Sequence, residues 1–234
     1  MKIIAHRGYR AKYTENTMTA FKKAVQYGAD GIELDVHLSR DGEIVVFHDE
    51  QFKRMAGHPG FIHEMDYEAI RKIKLFSKTV RKESVPRLIE VLELLRDTSL
   101  SLNIEIKAVT DGMLEQKLAQ LLMNYDTSQT VISSFHPESI LKMKQLAPDI
   151  ETALLYTKYI DQPWLLKERY LFDAIHTDTN YTSREYAALI QSHGVPVRIY
   201  TVNKERDLQY WLESEVAAII TDEVETAVKL KKEK

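Results

Sequence analysis

Short apolar runs and amphipathic stretches alternate along the chain. Runs with the length and the Ile, Val, Leu and Tyr content of strands lie at 2–5, 31–36, 43–47, 101–106, 130–135, 152–156, 173–176, 196–202 and 217–220. Between most of them, apolar residues recur with helical spacing, at 15–27, 87–97, 112–124, 137–146, 183–193 and 204–213. Strand alternating with helix predicts a parallel sheet, because parallel neighbours need a crossover connection such as a helix. Eight such units in 234 residues suit an α/β fold of the TIM-type (β/α)8 barrel class. An open doubly wound sheet is the alternative. No Gly-x-Gly-x-x-Gly follows the first run, which argues against a dinucleotide-binding version.

Nine runs are one more than a barrel needs. The runs at 31–38 and 43–47 are joined by Ser39-Arg40-Asp41-Gly42, and Asp-Gly between strands is a hairpin signal. One of the two is therefore expected to be an antiparallel partner or a loop extension. The segment at about 49–86 breaks the rhythm. It holds Gly57-His58-Pro59-Gly60 and a short helical pattern near 66–76. The expectation is a single domain over 1–234 with a small helical insertion there. Phe61, Ile62, Met65 and Tyr67 of the insertion could line a lipid channel, but a local core is the simpler use.

The chain carries 32 Lys+Arg against 35 Asp+Glu, a formal net charge of -3. That balance disfavours general nucleic-acid binding, which calls for a basic patch. There is no cysteine, which removes disulfides, thiolate metal sites and a cysteine nucleophile. The few apolar residues before His6 fall short of the ~7–15 of a secretory signal. No apolar run approaches the ~20 residues of a membrane-spanning helix. We therefore expect a cytoplasmic protein with no integral membrane segment. The Lys-Leu-Lys-Lys-Glu-Lys of 229–234 reads as a solvated helix end.

Four clusters fall at or just after strand ends, where barrel enzymes keep their sites. His6-Arg7-Gly8 follows the first run; the plain alternative is a strand-end turn. In Gly31-Ile32-Glu33-Leu34-Asp35-Val36, alternation puts Glu33 and Asp35 on one face and the apolar residues on the other. Two such carboxylates facing into a barrel need a compensating charge, and a divalent cation supplies it. In Asn103-Ile104-Glu105-Ile106-Lys107, Glu105 is a third candidate oxygen ligand and Lys107 a candidate anion holder, a Glu–Lys pair being the alternative. His48 ends the run at 43–47. The remaining histidines, at 37, 58, 63, 136, 176 and 193, are assigned structural or surface roles. Three carboxylates without cysteine describe a hard site for Mg²⁺ or Ca²⁺. Arg7 and Lys107 suit a phosphate, and two histidines supply an acid and a base. The combination suits phosphodiester cleavage.

These segments resemble the glycerophosphodiester phosphodiesterase family. The match runs through Ile3–Gly8, Glu15-Asn16-Thr17, Gly31–Val36, Asp41-Gly42 and Val46-Phe47-His48-Asp49. It continues through Val85-Pro86 with Leu88, Asn103–Lys107, Ser133-Ser134-Phe135, Thr201-Val202-Asn203 and Ile220-Thr221-Asp222. The resemblance implies an α/β barrel with a helical insertion and a divalent metal on Glu33, Asp35 and Glu105. It implies His6 and His48 as the acid–base pair, with Arg7 and Lys107 near the phosphate. The implied reaction is hydrolysis of small-molecule glycerophosphodiesters to sn-glycerol 3-phosphate and an alcohol, with a cyclic phosphate as a plausible intermediate. Glu15 is a candidate to orient Arg7, and Phe135 and Tyr200 are candidate substrate contacts. Asn16 and Thr17 read either as site residues or as a helix cap. Two positions depart from the family pattern: Tyr200 stands where Trp is usual, and Arg87 where Thr is usual. Activity on lysolipids of the lysophospholipase D type, or a silent barrel that only binds a phosphate ligand, are the competing readings. Nothing in the sequence points to an oligomeric state.

Overall fold

The computed structural model describes residues 1–79 and 82–233. Residues 80 and 81 of the expected insertion, and Lys234 of the expected helix end, lie outside the described residues. Among those described, nine strands form one sheet: β1 (Lys2–Ala5), β2 (Gly31–Leu38), β3 (Ile44–Val46), β4 (Ser101–Ile106), β5 (Thr130–Ser134), β6 (Glu151–Tyr156), β7 (Ala174–Asp178), β8 (Val197–Tyr200) and β9 (Ala218–Thr221). Eight are parallel and close on themselves, because β1 pairs β9 on one side and β2 on the other. The barrel expected from the alternation is present. The surplus run is β3, whose one strand partner among the described residues is β2, antiparallel, Val36 opposite Val46 and Leu38 opposite Ile44; Val45 also bridges Arg87. The turn between them is Ser39–Gly42, closed by Gly42 N–H donating to the Ser39 carbonyl at 3.0 Å.

Helix α1 (Met18–Gln26) connects β1 to β2, and two short helices, α2 (Lys53–Ala56) and α3 (Tyr67–Ile70), come after β3. The crossover helices Leu88–Leu95, Met113–Leu122, Pro137–Leu146, Arg184–Ser192, Glu205–Leu212 and Val224–Lys232, with the short helical turns Pro163–Leu166 and Lys167–Tyr170 between β6 and β7, complete the outer layer. Alternation along the strands sorts the two faces. Ile3, Ile32, Leu34, Ile104, Ile132, Ile175, Ile199 and Ile219 point outward and share one apolar core with Phe21, Leu88, Leu118, Ile140, Ile190 and Leu208 of the helices. Each such side chain contributes about 1.5–3 kcal/mol by leaving water. The inner face is smaller and more polar. Ile4, Ala218 and Ile220 form one inward cluster and Val131, Ala153 and Ala174 another. Among them sit Asn103, Ser133, His176 and Arg198.

The segment after β3 builds a separate small core from Val45, Phe47, Phe52, Ile62, Tyr67, Ile70, Ile73, Leu75 and Val85. Ile62 and Tyr67 are thus consumed by packing, with Met65 at the edge, and the Phe61 ring lies tilted against His63. The helical pattern near 66–76 yields only the single turn of α3. Beyond it Ile73 and Leu75 are buried while Lys74 is exposed, so the burial period becomes two and the chain runs extended. The last helix ends with Lys229, Lys231 and Lys232 in its final turn, and Lys229 and Lys232 are exposed. Among the described residues, no helix is long and apolar enough to cross a membrane.

Candidate active site

The strand-end clusters converge at the carboxyl ends of the barrel strands. His6, Arg7, Glu33, His48, Glu105, Lys107, Phe135 and Tyr200 all line one cavity of about 170 Å³. Asp35 and Glu15 do not line it; both are buried and pair with Arg7, which does. The turn that delivers Arg7 requires Gly8. Its φ is +80°, and a Cβ there would meet the backbone carbon of Ala20, in α1, at 2.7 Å.

Parallel pairing of β2 with β4 places Asp35 beside Glu105 and Glu33 beside Asn103. The three carboxylates present oxygens within 4.8 Å of one another. Glu33 Oε2 accepts the Arg7 backbone N–H at 2.8 Å, and Asp35 Oδ2 accepts Asn16 Nδ2 at 2.8 Å. Glu33 Oε1 and Asp35 Oδ1 are buried without a hydrogen bond. Burial, reinforced by the charges of Asp35 and Glu105, pushes the Glu33 carboxyl well above its ordinary value. Burial and the Asp35 charge likewise push Glu105 up to about 7. An oxygen-only donor set with open lone pairs and excess negative charge fits a divalent cation. Lys107 Nζ donates to Glu105 at 2.8 Å, lies 3.9 Å from Asp35, and sits 5.6 Å from the Phe135 ring.

Each histidine engages an aspartate through Nδ1. His6 Nδ1 lies 2.7 Å from Asp222 Oδ1, and His48 Nδ1 lies 2.6 Å from Asp49 Oδ1. That leaves Nε2 of each ring as the nitrogen to exchange a proton. Burial holds the His48 imidazole below its ordinary value, against the opposing charge of Asp35. Buried His37 donates from Nε2 to the His48 carbonyl at 3.0 Å. Asp222 also accepts from Arg10 at 3.1 Å and Asn203 at 2.9 Å. Asp49 accepts from Arg54 of α2 at 2.7 Å.

Glu15 joins the two assemblies. Its Oε1 accepts from Arg7 at 3.0 Å and Arg54 at 2.6 Å, and its Oε2 from Arg10 at 2.8 Å. Burial alone would raise this carboxyl. The Arg54 hydrogen bond and the charges of Arg7, Arg10 and Arg54 outweigh it and bring it to about 2. Glu15 thus holds Arg7 and two further arginines besides. Arg7 is itself held by Glu15 and, at 3.2 Å, by Asp35.

The double reading of Asn16 and Thr17 resolves into one role each: Thr17 caps α1 by accepting from Ala20 N–H at 3.2 Å, whereas Asn16 reaches Asp35. Tyr200 donates its hydroxyl to the Tyr156 carbonyl at 2.9 Å and meets Phe135 edge-on at 6.2 Å. Arg87 pairs with Glu43 at 3.3 Å and lies over the Tyr67 ring, and it does not line the cavity. Sequence reasoning missed Asp222, Asp49, Arg10 and Arg54 as partners. Asp222 and Asp49 carried a signal, one just past a strand run and one beside His48. It also gave His176 only a structural role, although this inward residue of β7 lines the cavity.

The closed parallel barrel and the charged cavity at the carboxyl ends of its strands are those of an enzyme. The chain belongs to the glycerophosphoryl diester phosphodiesterase family, whose pattern matches residues 6–226. A glycerophosphodiester phosphodiesterase of Caldanaerobacter subterraneus subsp. tengcongensis is 36% identical over 234 residues, spanning 97% of this chain and 96% of its own. Another, of Bacillus altitudinis, is 33% identical over 241 residues, spanning 99% of this chain and 98% of its own. Among solved structures, an Oleispira antarctica phosphodiesterase in complex with its product sn-glycerol-3-phosphate superposes with a TM-score of 0.93. That pair shares 22% identity and covers 99% of this chain and 97% of the other, a likeness of fold.

Proposed function

We propose that the protein hydrolyses small-molecule glycerophosphodiesters to sn-glycerol 3-phosphate and an alcohol, in the cytoplasm, with a divalent metal and His6 and His48 as acid and base. The observation that carries this reading is the convergence of three buried carboxylates and two His–Asp pairs on one small cavity, in a chain of this family.

Glu33, Asp35 and Glu105 would hold the metal, Mg²⁺ or Ca²⁺ by the chemistry of the donors. When bound, it supplies positive charge against the phosphoryl oxygens. Lys107 spends one of its three N–H groups on Glu105, and the others are available to a phosphate oxygen. Arg7 adds a fixed positive charge beside the carboxylates. In the first step, one histidine takes at Nε2 the proton of a substrate glycerol hydroxyl as its oxygen attacks phosphorus. The other histidine gives its proton to the departing alcohol oxygen as the P–O bond breaks, and a cyclic phosphate remains. Water then opens the ring with the two roles exchanged. Asp222 and Asp49 hold each imidazole in the tautomer and orientation this needs. Glu15 acts through the arginines as a positioning residue. Phe135 and Tyr200 form an aromatic wall for the substrate.

The test is release of sn-glycerol 3-phosphate by chelator-stripped protein, with Mg²⁺, Ca²⁺ or Mn²⁺ restored, over a panel of glycerophosphodiesters and one lysophospholipid. Turnover of the diesters that vanishes on chelation and returns with metal is the expected result. Turnover confined to the lysophospholipid would replace the substrate assignment, and no turnover with any metal would favour a silent binding barrel.

A further inference from the structure

Below the carboxylates, the barrel interior ends in a polar floor that the reaction above does not use. His176 of β7 is fully buried, in register with Leu155 of β6 and Arg198 of β8. It lines the site cavity and also a second cavity of about 260 Å³ lined by Lys2, Ser101 and Glu151, at the amino ends of the strands. His176 Nε2 lies 3.4 Å from Arg198 Nη1, and Arg198 is held in turn by Glu151 at 2.7 Å. A guanidinium only donates, so Nε2 accepts and the ring proton sits on Nδ1. Burial, with the Arg198 charge adding to it, keeps the imidazole neutral, well below its ordinary value. Nδ1 has no hydrogen-bond partner.

Asn103 of β4 presents the complement. Its Nδ2 donates to Ser133 at 3.0 Å, and its buried Oδ1 has no partner. Both residues line the site cavity, and both also line the second cavity, so they stand between the two. A donor and an acceptor left open in a barrel interior are costly unless a ligand or a water satisfies them. A hydroxyl is donor and acceptor at once.

The geometry points to a hydroxyl-binding floor in which His176 Nδ1–H and Asn103 Oδ1 hold a glycerol hydroxyl of the substrate and select a free glycerol group over one lacking or acylated at that oxygen. This rests on the reading of the cavity as the phosphodiester site. The alcohol half of a diester varies in size and needs an open exit. The glycerol half is small and constant, and suits a cavity of about 170 Å³. With phosphorus near Lys107 and Glu105, the hydroxyl farthest from phosphorus is the one that reaches the floor. His176 and Asn103 are then specificity-determining residues.

The experiment is calorimetric binding, with divalent metal present, of sn-glycerol 3-phosphate and of its 1-deoxy analogue, propane-1,2-diol phosphate. The proteins are the wild type, His176→Leu and His176→Asn. The wild type is expected to prefer the full triol-derived phosphate by about tenfold or more, since a site built for a hydroxyl rejects the analogue without it. His176→Leu should bring the two ligands to within about twofold by weakening the first only. His176→Asn, which keeps an N–H donor, should restore part of the preference. No preference in the wild type, or equal weakening of both ligands in His176→Leu, overturns the floor alone. A wild type that binds neither phosphate overturns the reading of the cavity and the floor with it. The wild-type comparison and His176→Asn decide the matter if His176→Leu does not fold.

Discussion

His6 and His48 have matching tasks in the proposed reaction, yet different kinds of structure hold them. His6 extends β1, and its backbone N–H donates to Thr221 at 2.9 Å, so barrel closure sets its place. Its aspartate, Asp222, is 216 residues away and comes from the neighbouring strand end. His48 follows the one strand outside the ring. Its aspartate is the next residue, and that aspartate is anchored by Arg54 on α2, inside a segment with its own apolar core. One arm is therefore set by barrel closure, whereas the other depends on a segment with an apolar core of its own. Glu15 ties them together through Arg10 and Arg54.

The sharpest test of this pairing removes each imidazole. His6→Ala and His48→Ala should each lower kcat by about 10²–10⁴, the usual worth of general acid–base catalysis. Metal should still raise the melting temperature of both variants; a variant with near-normal turnover would remove that histidine from the mechanism. The next test separates the arms. Phe52 is fully buried and packs 5.1 Å from Phe47 in the insertion core, and Phe52→Ala should cost about 3–5 kcal/mol there. Hydrogen exchange should rise across 49–76 and stay unchanged in β1 and β9, while kcat/KM falls with the population that has lost His48. Equal loosening of β1 and β9 would contradict the separation.

The smallest effect concerns the link. The Glu15 carboxyl titrates at about 2 in the folded protein, below the ~4.3 of a free glutamate. Its folded value is depressed, so its stabilising contribution is fully present above the unfolded value and fades as pH falls toward 2. Glu15→Gln should melt below the wild type at neutral pH, and the gap should narrow between pH 5 and pH 3. A gap that stays constant over that window would show that Glu15 is not held by the arginines in solution.

The barrel was legible because its strands obey one alternation. Ile32 and Leu34 point out and Glu33 and Asp35 point in, and a buried inward carboxylate pair asks for a cation. The hairpin was legible in Asp41-Gly42, although the sequence left open which run was the extra one. The partners of the histidines were not legible. Asp222 meets His6 only because the first and last strands are neighbours in a closed ring, a fact of topology rather than of local pattern. Arg54 and Arg10 look like ordinary surface cations until Glu15 collects them. The helix near 66–76 is shorter than its pattern suggests. Ile70, Ile73 and Leu75 fit helical spacing loosely, whereas packing against Phe52 and Val85 favours an extended run after Ile70. His176 sits in a short apolar run, and only the inward register of β7 distinguishes it from a core histidine.

Three buried carboxylates shaped for a divalent cation are the centre of this account, and metal titration calorimetry tests them most directly. Mg²⁺ and Ca²⁺ would be added to chelator-stripped wild type and Asp35→Ala at pH 6.5, in buffers of different ionisation enthalpy. The raised Glu33 and Glu105 carboxyls predict binding of one cation with net release of protons, lost in Asp35→Ala. Absence of binding by the wild type, or unchanged binding by Asp35→Ala, would contradict the account.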